Sequence, residues 1–228
     1  MKKILSLVLM LGAMALSVEE SHAELPWQFD QHTRYMVMGD SLGSGYGAIP
    51  QTNGYAYQLY KTGIFDKLPN TLFCNASVIG VTSADVLAYQ VPQAYVFRPD
   101  IVTLTVGGND LSKIMEGSDP QTVLTEFQEN LTQILYHLVI ELNTKVYIAN
   151  LYVIDEIPGA DYIVPLFNDI VSGVASGFGA VSVADIYSQF KGGEGLLLIE
   201  RNGAATYEIH PSNAGHAAIA RAFVEAMP

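Results

Sequence analysis

Met36-Val37-Met38-Gly39-Asp40-Ser41-Leu42-Gly43-Ser44-Gly45 is the stretch on which the reading of this chain turns. Strand-forming residues from Arg34 to Met38 stop at a glycine, and an acid and a serine follow in a loop with two more glycines. A hydroxyl at the carboxyl end of a buried strand, on a loop whose glycines permit φ > 0, is where an α/β protein places reacting groups. On its own the stretch reads as a glycine-rich turn with an incidental serine. Partners downstream change that.

Outward from this turn, strand and helix patterns alternate. A helix pattern spans Tyr55–Thr62, ending at Gly63, and a second strand covers roughly Thr71–Ala76. Ser83 to Tyr89 reads as a short helix before Pro92. Strand three, Ile101–Val106, is β-branched almost throughout and stops at Gly107-Gly108, which suits a sheet covered on both faces. The longest helix pattern runs from Pro120 to Asn143, with Asp119 as N-cap and Pro120 at the first helical position. Its apolar stripe is Leu124, Phe127, Leu131, Ile134, Leu138 and Leu142. Strand four is Lys145–Ala149, a helix covers Asp161–Phe178, and strand five is Val181–Ala184. A loop-rich excursion from Gly192 to Ala205 precedes a closing helix, Ser212–Met227.

Strands alternating with helices predict βαβ units around a parallel sheet. The expected fold is a three-layer α/β/α sandwich with a five-stranded parallel sheet in the flavodoxin-like order 2-1-3-4-5. The loops after strands one and three then flank the crevice where the strand order reverses. Ser41 and Asn109 sit on those two loops.

Acyl transfer needs a nucleophile, a base and donors for an oxyanion. Ser41 is the candidate nucleophile. Gly80 ends the segment beyond strand two, Gly107-Gly108-Asn109-Asp110 follows strand three, and His210-Pro211 stands before the last helix. With these four blocks in order the chain resembles the SGNH hydrolases, the GDSL esterase/lipase family, over essentially the whole sequence after the leader. The resemblance implies Ser41 as nucleophile and His210 as general base. It further implies an oxyanion hole from the Ser41 and Gly80 N–H groups and the Asn109 side chain.

One position departs from the family pattern. An aspartate usually stands three residues before the histidine and orients the imidazole, and here that residue is Tyr207. Glu208 with a shifted backbone, a main-chain carbonyl, or a weakened enzyme are the three readings. In an extended segment Glu208 and His210 share a face and point in parallel, which weighs against Glu208.

Other chemistries fit poorly. Gly39-Asp40-Ser41-Leu42-Gly43 matches the G-x-S-x-G elbow of α/β-hydrolases, but that elbow follows several strands and this one follows the first. No Gly-Lys-Ser/Thr follows to make a phosphate loop. A receiver-like fold would want clustered acids after strand one and a lysine after strand five, and neither is present. His32, His137, His210 and His216 show no ligand spacing with cysteine or acid, so no metal and no cofactor are expected. His216 reads as a structural histidine, Asp40 and Asp110 as loop pins, and Tyr46, Tyr55 and Tyr57 as core aromatics that could line an acyl pocket.

Residues 1–23 read as a cleavable signal peptide: Lys2 and Lys3, an apolar run from Ile4 to Leu16, and Ser21-His22-Ala23 before Glu24. The catalytic domain is then expected over 24–228, exported to the periplasm or the medium. No cysteine lies near the cleavage point, which argues against a lipid anchor. Cleavage removes two lysines and two glutamates, so the net charge stays at −12. That sign argues against nucleic acid or an anionic membrane as partner. Cys74, the single cysteine, reads as a buried inert thiol. The function expected is hydrolysis of small-molecule carboxylic esters, short-chain acyl esters or lysophospholipid-like substrates. The rival is an exported ligand- or carbohydrate-binding module on a weakened hydrolase fold.

Overall fold

Alternation along the strands sets the two faces of the sheet. The computed structural model describes residues 32–62, 71–155, 157–193, 195–198, 201–202, 206–207 and 209–227. The signal-peptide reading, the helix stop at Gly63 and Glu208 lie outside the described residues. Five parallel strands, β1 (Arg34–Gly39), β2 (Leu72–Asn75), β3 (Ile101–Thr105), β4 (Lys145–Ala149) and β5 (Val181–Ala184), pair in the order β2-β1-β3-β4-β5. This is the order expected from the sequence.

Met36, Met38, Val102, Leu104, Val146 and Ile148 point to one side of the sheet. There they pack under α3 (Ser83–Asp85), α4 (Val91–Phe97), α6 (Pro120–Leu135) and α7 (Ala160–Ser176). Tyr35, Val37, Tyr147 and Ala149 point to the other side, where α2 (Tyr55–Thr62), α8 (Ile186–Phe190) and α9 (Asn213–Glu225) cover them. Each strand thus feeds two cores, as its period of two requires. Thr103 is buried on the α2–α9 side, and its hydroxyl bonds to that of Tyr35 at 2.8 Å, so the polar group is satisfied in the dry layer.

The helices differ from the sequence reading in two ways. The short helix does not stop before Pro92: a π-helical turn, Val86–Gln90, joins α3 to α4, and Pro92 lies in the first turn of α4. Proline lacks an N–H and crowds the preceding turn, and the wider π turn accommodates both. The long helix likewise ends in a π segment, Tyr136–Glu141, rather than running as α-helix to Asn143. Its start is as expected, with the Asp119 carboxylate accepting from the Thr122 N–H at 2.9 Å.

Three further elements matter for the site. Ser41 opens a one-turn helix, α1 (Ser41–Ser44), and Asn109 lies in the first turn of α5 (Gly108–Met115), not in a loop. A glycine pair argues against a helix there, but Gly107 serves as its N-cap at φ 112°. Within the 192–205 excursion and just after it, β6 (Arg201–Asn202) pairs antiparallel with β7 (Thr206–Tyr207).

Candidate active site

Gly39 decides how β1 ends. Its φ is 120°, and a Cβ built there would stand 1.8 Å from the Thr105 carbonyl oxygen. Only glycine lets the two strand ends close so that the Asp40 N–H reaches Thr105 O at 3.0 Å. The buried Gln90 amide holds the same glycine from below: Gly39 N–H donates to Oε1 at 2.6 Å, and Nε2 donates to Gly39 O at 2.8 Å. Asp40 then caps α1, its Oδ1 accepting from the Leu42 N–H and from the Thr105 hydroxyl, each at 3.0 Å. Burial pushes the Asp40 carboxyl up from 3.8 to about 6, against these bonds, which favour its ionised form.

His210 arrives from the other end of the chain. Residues 196–198 and 210–212 run side by side: Leu198 N–H donates to His210 O and Ser212 N–H to Leu196 O, both at 2.8 Å, with a bridge between Leu197 and Pro211. The Tyr152 hydroxyl adds a bond to Ile209 O at 3.1 Å. Ser212 caps α9, starting the helix directly after the histidine. This holding places His210 Nε2 at 2.9 Å from Ser41 Oγ. The Tyr46 ring stands edge-on to the imidazole, with centroids 4.3 Å apart.

Asn109 comes to the same place from α5. Its Nδ2 donates to Val81 O at 2.8 Å, which ties the loop beyond β2 to the end of β3. Ser41, Asn109 and His210 all line one cavity of about 350 Å³. Gly80 does not line it. This residue lies exposed in the turn before Val81, at φ 82°, with open space where a Cβ would stand. The rest of the cavity is largely hydrocarbon, with Leu42, Leu111, Met115, Leu151, Ile154 and Ile157 among its walls.

Asp110 and His216 take the structural roles read for them, whereas Tyr46, read as a core aromatic, is 40% exposed beside His210. Asp110 accepts from the Ser83 N–H at 2.9 Å and the Ser83 hydroxyl at 2.6 Å, so it pins α3 to α5. His216 is fully buried; its Nδ1 accepts from the Tyr55 N–H at 3.3 Å and its Nε2 faces Tyr46 O at 2.9 Å. A carbonyl can only accept and an N–H can only donate, so this ring is the neutral Nε2–H tautomer. Burial lowers its pKa in the same sense. Tyr55 stacks on Phe223 in the core and Tyr57 packs on Phe73, and neither lines the cavity. Cys74 is half-buried rather than buried, away from the cavity, and burial raises its thiol pKa. Among the described residues no cluster of His, Cys, Asp or Glu is arranged to hold a metal ion.

Two amides escaped the sequence reading. Gln90 is one; Asn168 of α7 is the other, bonding Leu151 N–H at 2.7 Å and Leu151 O at 2.9 Å. Each makes a two-way bond to backbone at a strand end beside the cavity. The available signal was a lone amide within an apolar helical pattern.

Residues 37–218 match the GDSL-like lipase/acylhydrolase family. No curated protein sequence matches the chain. Among solved structures, a lipase from a goat rumen metagenome is similar at 25% identity and a TM-score of 0.71, over 86% of this chain and 97% of that one. A lipolytic G-D-S-L family protein of Veillonella parvula shares 20% identity at a TM-score of 0.65, over 86% and 98% of the two chains. An acetyl xylan esterase of Geobacillus stearothermophilus shares 20% at 0.68, over 85% and 93%. The last two likenesses carry the fold alone. With a family match over most of its length, and Ser41 and His210 meeting at one cavity, the chain belongs to the GDSL-like lipase/acylhydrolase family, a family of carboxylic ester hydrolases.

Proposed function

We propose that the protein is an exported serine esterase in which Ser41 attacks the ester carbonyl and His210 takes its proton. The observation that carries this reading is the 2.9 Å approach of His210 Nε2 to Ser41 Oγ at the mouth of an apolar cavity. Oγ bonds to the acyl carbon as its proton passes to Nε2. The oxyanion so formed is met by the Ser41 N–H group and the Asn109 amide, while Gly80, outside the cavity lining, contributes no donor in this reading. Asn109 has two amide hydrogens; Val81 O holds one, so the plane of the second is set before substrate arrives. Collapse expels the alcohol, which takes the proton from His210. Water then attacks the acyl-enzyme with His210 again as base, releasing the acid and restoring Ser41.

The cavity walls extend the substrate class from short acyl esters to hydrocarbon chains of medium length. Similar structures include a lipase and an acetyl xylan esterase, and hydrocarbon walls favour the former kind of acyl group. Burying a methylene contributes about 0.8 kcal/mol, so kcat/KM for p-nitrophenyl esters should rise up to about fourfold per added carbon until the cavity is filled. The leader read at residues 1–23 supports export.

A serine-reactive phosphonate tests the assignment. Stoichiometric labelling that maps to Ser41, and no labelling of Ser41→Ala, is the expected result. A folded protein that neither labels nor turns over esters would instead be a binding module.

A further inference from the structure

Helix α5 runs the length of the cavity. Asn109 stands in its first turn, and Glu116 follows its last residue as C-cap; both line the cavity. At 1.5 Å per residue they are about 10 Å apart along the axis. Ser112 lies between them on the same wall. An extended acyl chain advances about 1.3 Å per methylene, given carbon–carbon bonds of about 1.5 Å. A chain of about eight carbons, its carbonyl beside Asn109, spans that length of α5.

The leaving oxygen must take its proton from His210, so the alcohol departs on the side of His210 and Tyr46. The acyl chain stays through both chemical steps and fits the part of the cavity that α5 lines, which is open to solvent at Met115 and Glu116. At the C-terminal end of α5 Glu116 is exposed on the cavity rim; its N–H bonds to Ser112 O at 2.9 Å, and no ion pair engages its carboxylate among the described residues. The described cavity walls contain no lysine or arginine, and the chain carries a net charge of −12. Lys113, three positions earlier on α5, is the cation nearest in sequence, and it does not line the cavity.

We propose that Glu116 is a specificity-determining residue. It sets a negative charge at the distal end of the acyl cavity, so that acyl chains of about eight carbons with a neutral or cationic end are accepted and those ending in a carboxylate are rejected. The proposal rests on the assignment of Ser41 and His210, which sets where the carbonyl lies.

The test compares kcat/KM for p-nitrophenyl octanoate, mono-p-nitrophenyl suberate and p-nitrophenyl 8-aminooctanoate. Wild-type protein, Glu116→Gln and Glu116→Lys are each measured at low and high NaCl. An apolar wall alone penalises both charged chain ends alike, whereas Glu116 separates them. The expected wild-type preference is about tenfold for the ammonium over the carboxylate at low salt, narrowing as salt screens the charge. Glu116→Gln should bring the two charged esters level, and Glu116→Lys should reverse their order. Equal ratios in wild type and Glu116→Gln, with both folded by circular dichroism, overturn the proposal. Failure of the underlying assignment shows separately, as absence of octanoate turnover and of phosphonate labelling.

Discussion

Ser41 and His210 are 169 positions apart in the chain and within hydrogen-bond distance in the fold. Asn109 approaches them with one amide hydrogen already committed to Val81 O. If the other meets the oxyanion, Asn109→Ala lowers kcat by roughly 10²–10³ with a smaller change in KM. A change confined to KM in steady-state assays would instead make Asn109 a substrate-positioning group. Asp40, next to Ser41, has the opposite character. Its folded pKa of about 6 lies above the ordinary 3.8, because burial disfavours the charge. The folded state therefore holds this proton more tightly, and the stability so contributed is complete below about pH 4 and lost as pH rises through about 6. Asparagine keeps an oxygen acceptor for Leu42 and Thr105 without the charge. Asp40→Asn should gain on wild type by up to about 3 kcal/mol between pH 4 and pH 7. Urea unfolding at several pH values measures this, and a pH-independent difference would contradict it. His216 titrates in the opposite sense, losing stability as pH falls through the ordinary histidine range, but it is common to both proteins and cancels in the difference.

The strand ends around the site are held by amides from helices rather than by the strands themselves. Gln90 is carried on the π turn between α3 and α4, and there it satisfies both backbone groups of Gly39. Asn168 does the same for Leu151 from α7. Gln90→Met keeps length and removes both bonds, leaving the buried Gly39 N–H without its acceptor. The expected cost is about 2–4 kcal/mol in denaturant unfolding, since an orphaned buried group costs about 1–3 kcal/mol and packing is disturbed besides. A parallel loss of kcat is expected, because Gly39 sets the position of Asp40 and Ser41. A variant within about 0.5 kcal/mol of wild type, the range of surface changes, would show that Val78 N–H and the sheet hold Gly39 unaided.

Charge acts on the molecule as a whole. Two hydrophobic layers hold the sheet, and no disulfide is available to a chain with one cysteine. Against them stands the mutual repulsion of a net charge of −12. Raising NaCl from about 0.01 to 0.15 M shortens the screening length from about 30 to about 8 Å. If that relieves ~1 kcal/mol, Tm rises by about 2–4 °C for a domain of this size. Calorimetry at the two concentrations checks it. A Tm that falls would mean that ion pairs such as Arg34–Asp100 outweigh the repulsion.

The fold was legible because its signals are local and repeated. Each strand announces itself by β-branched or apolar runs that stop at glycine, asparagine or aspartate, and the βαβ alternation leaves few topologies for five such strands. Ser41, Asn109 and His210 were legible for the same reason, each sitting in a short block at a strand end or before a helix. Gln90 and Asn168 were not, because an amide in a helix has no local mark of which backbone group it will meet. Nor were the π turns, whose register is set by the packing of Pro92 and the helix ends against the sheet. Tertiary structure alone brought α5 alongside residues 149–154 and 157–164 to line the cavity and put Glu116 on its wall. That wall is remote from Ser41 along the chain. The sheet order brings it close, by placing β3 beside β1 and β4 beside β3 so that the segments leaving their carboxyl ends open onto a common crevice.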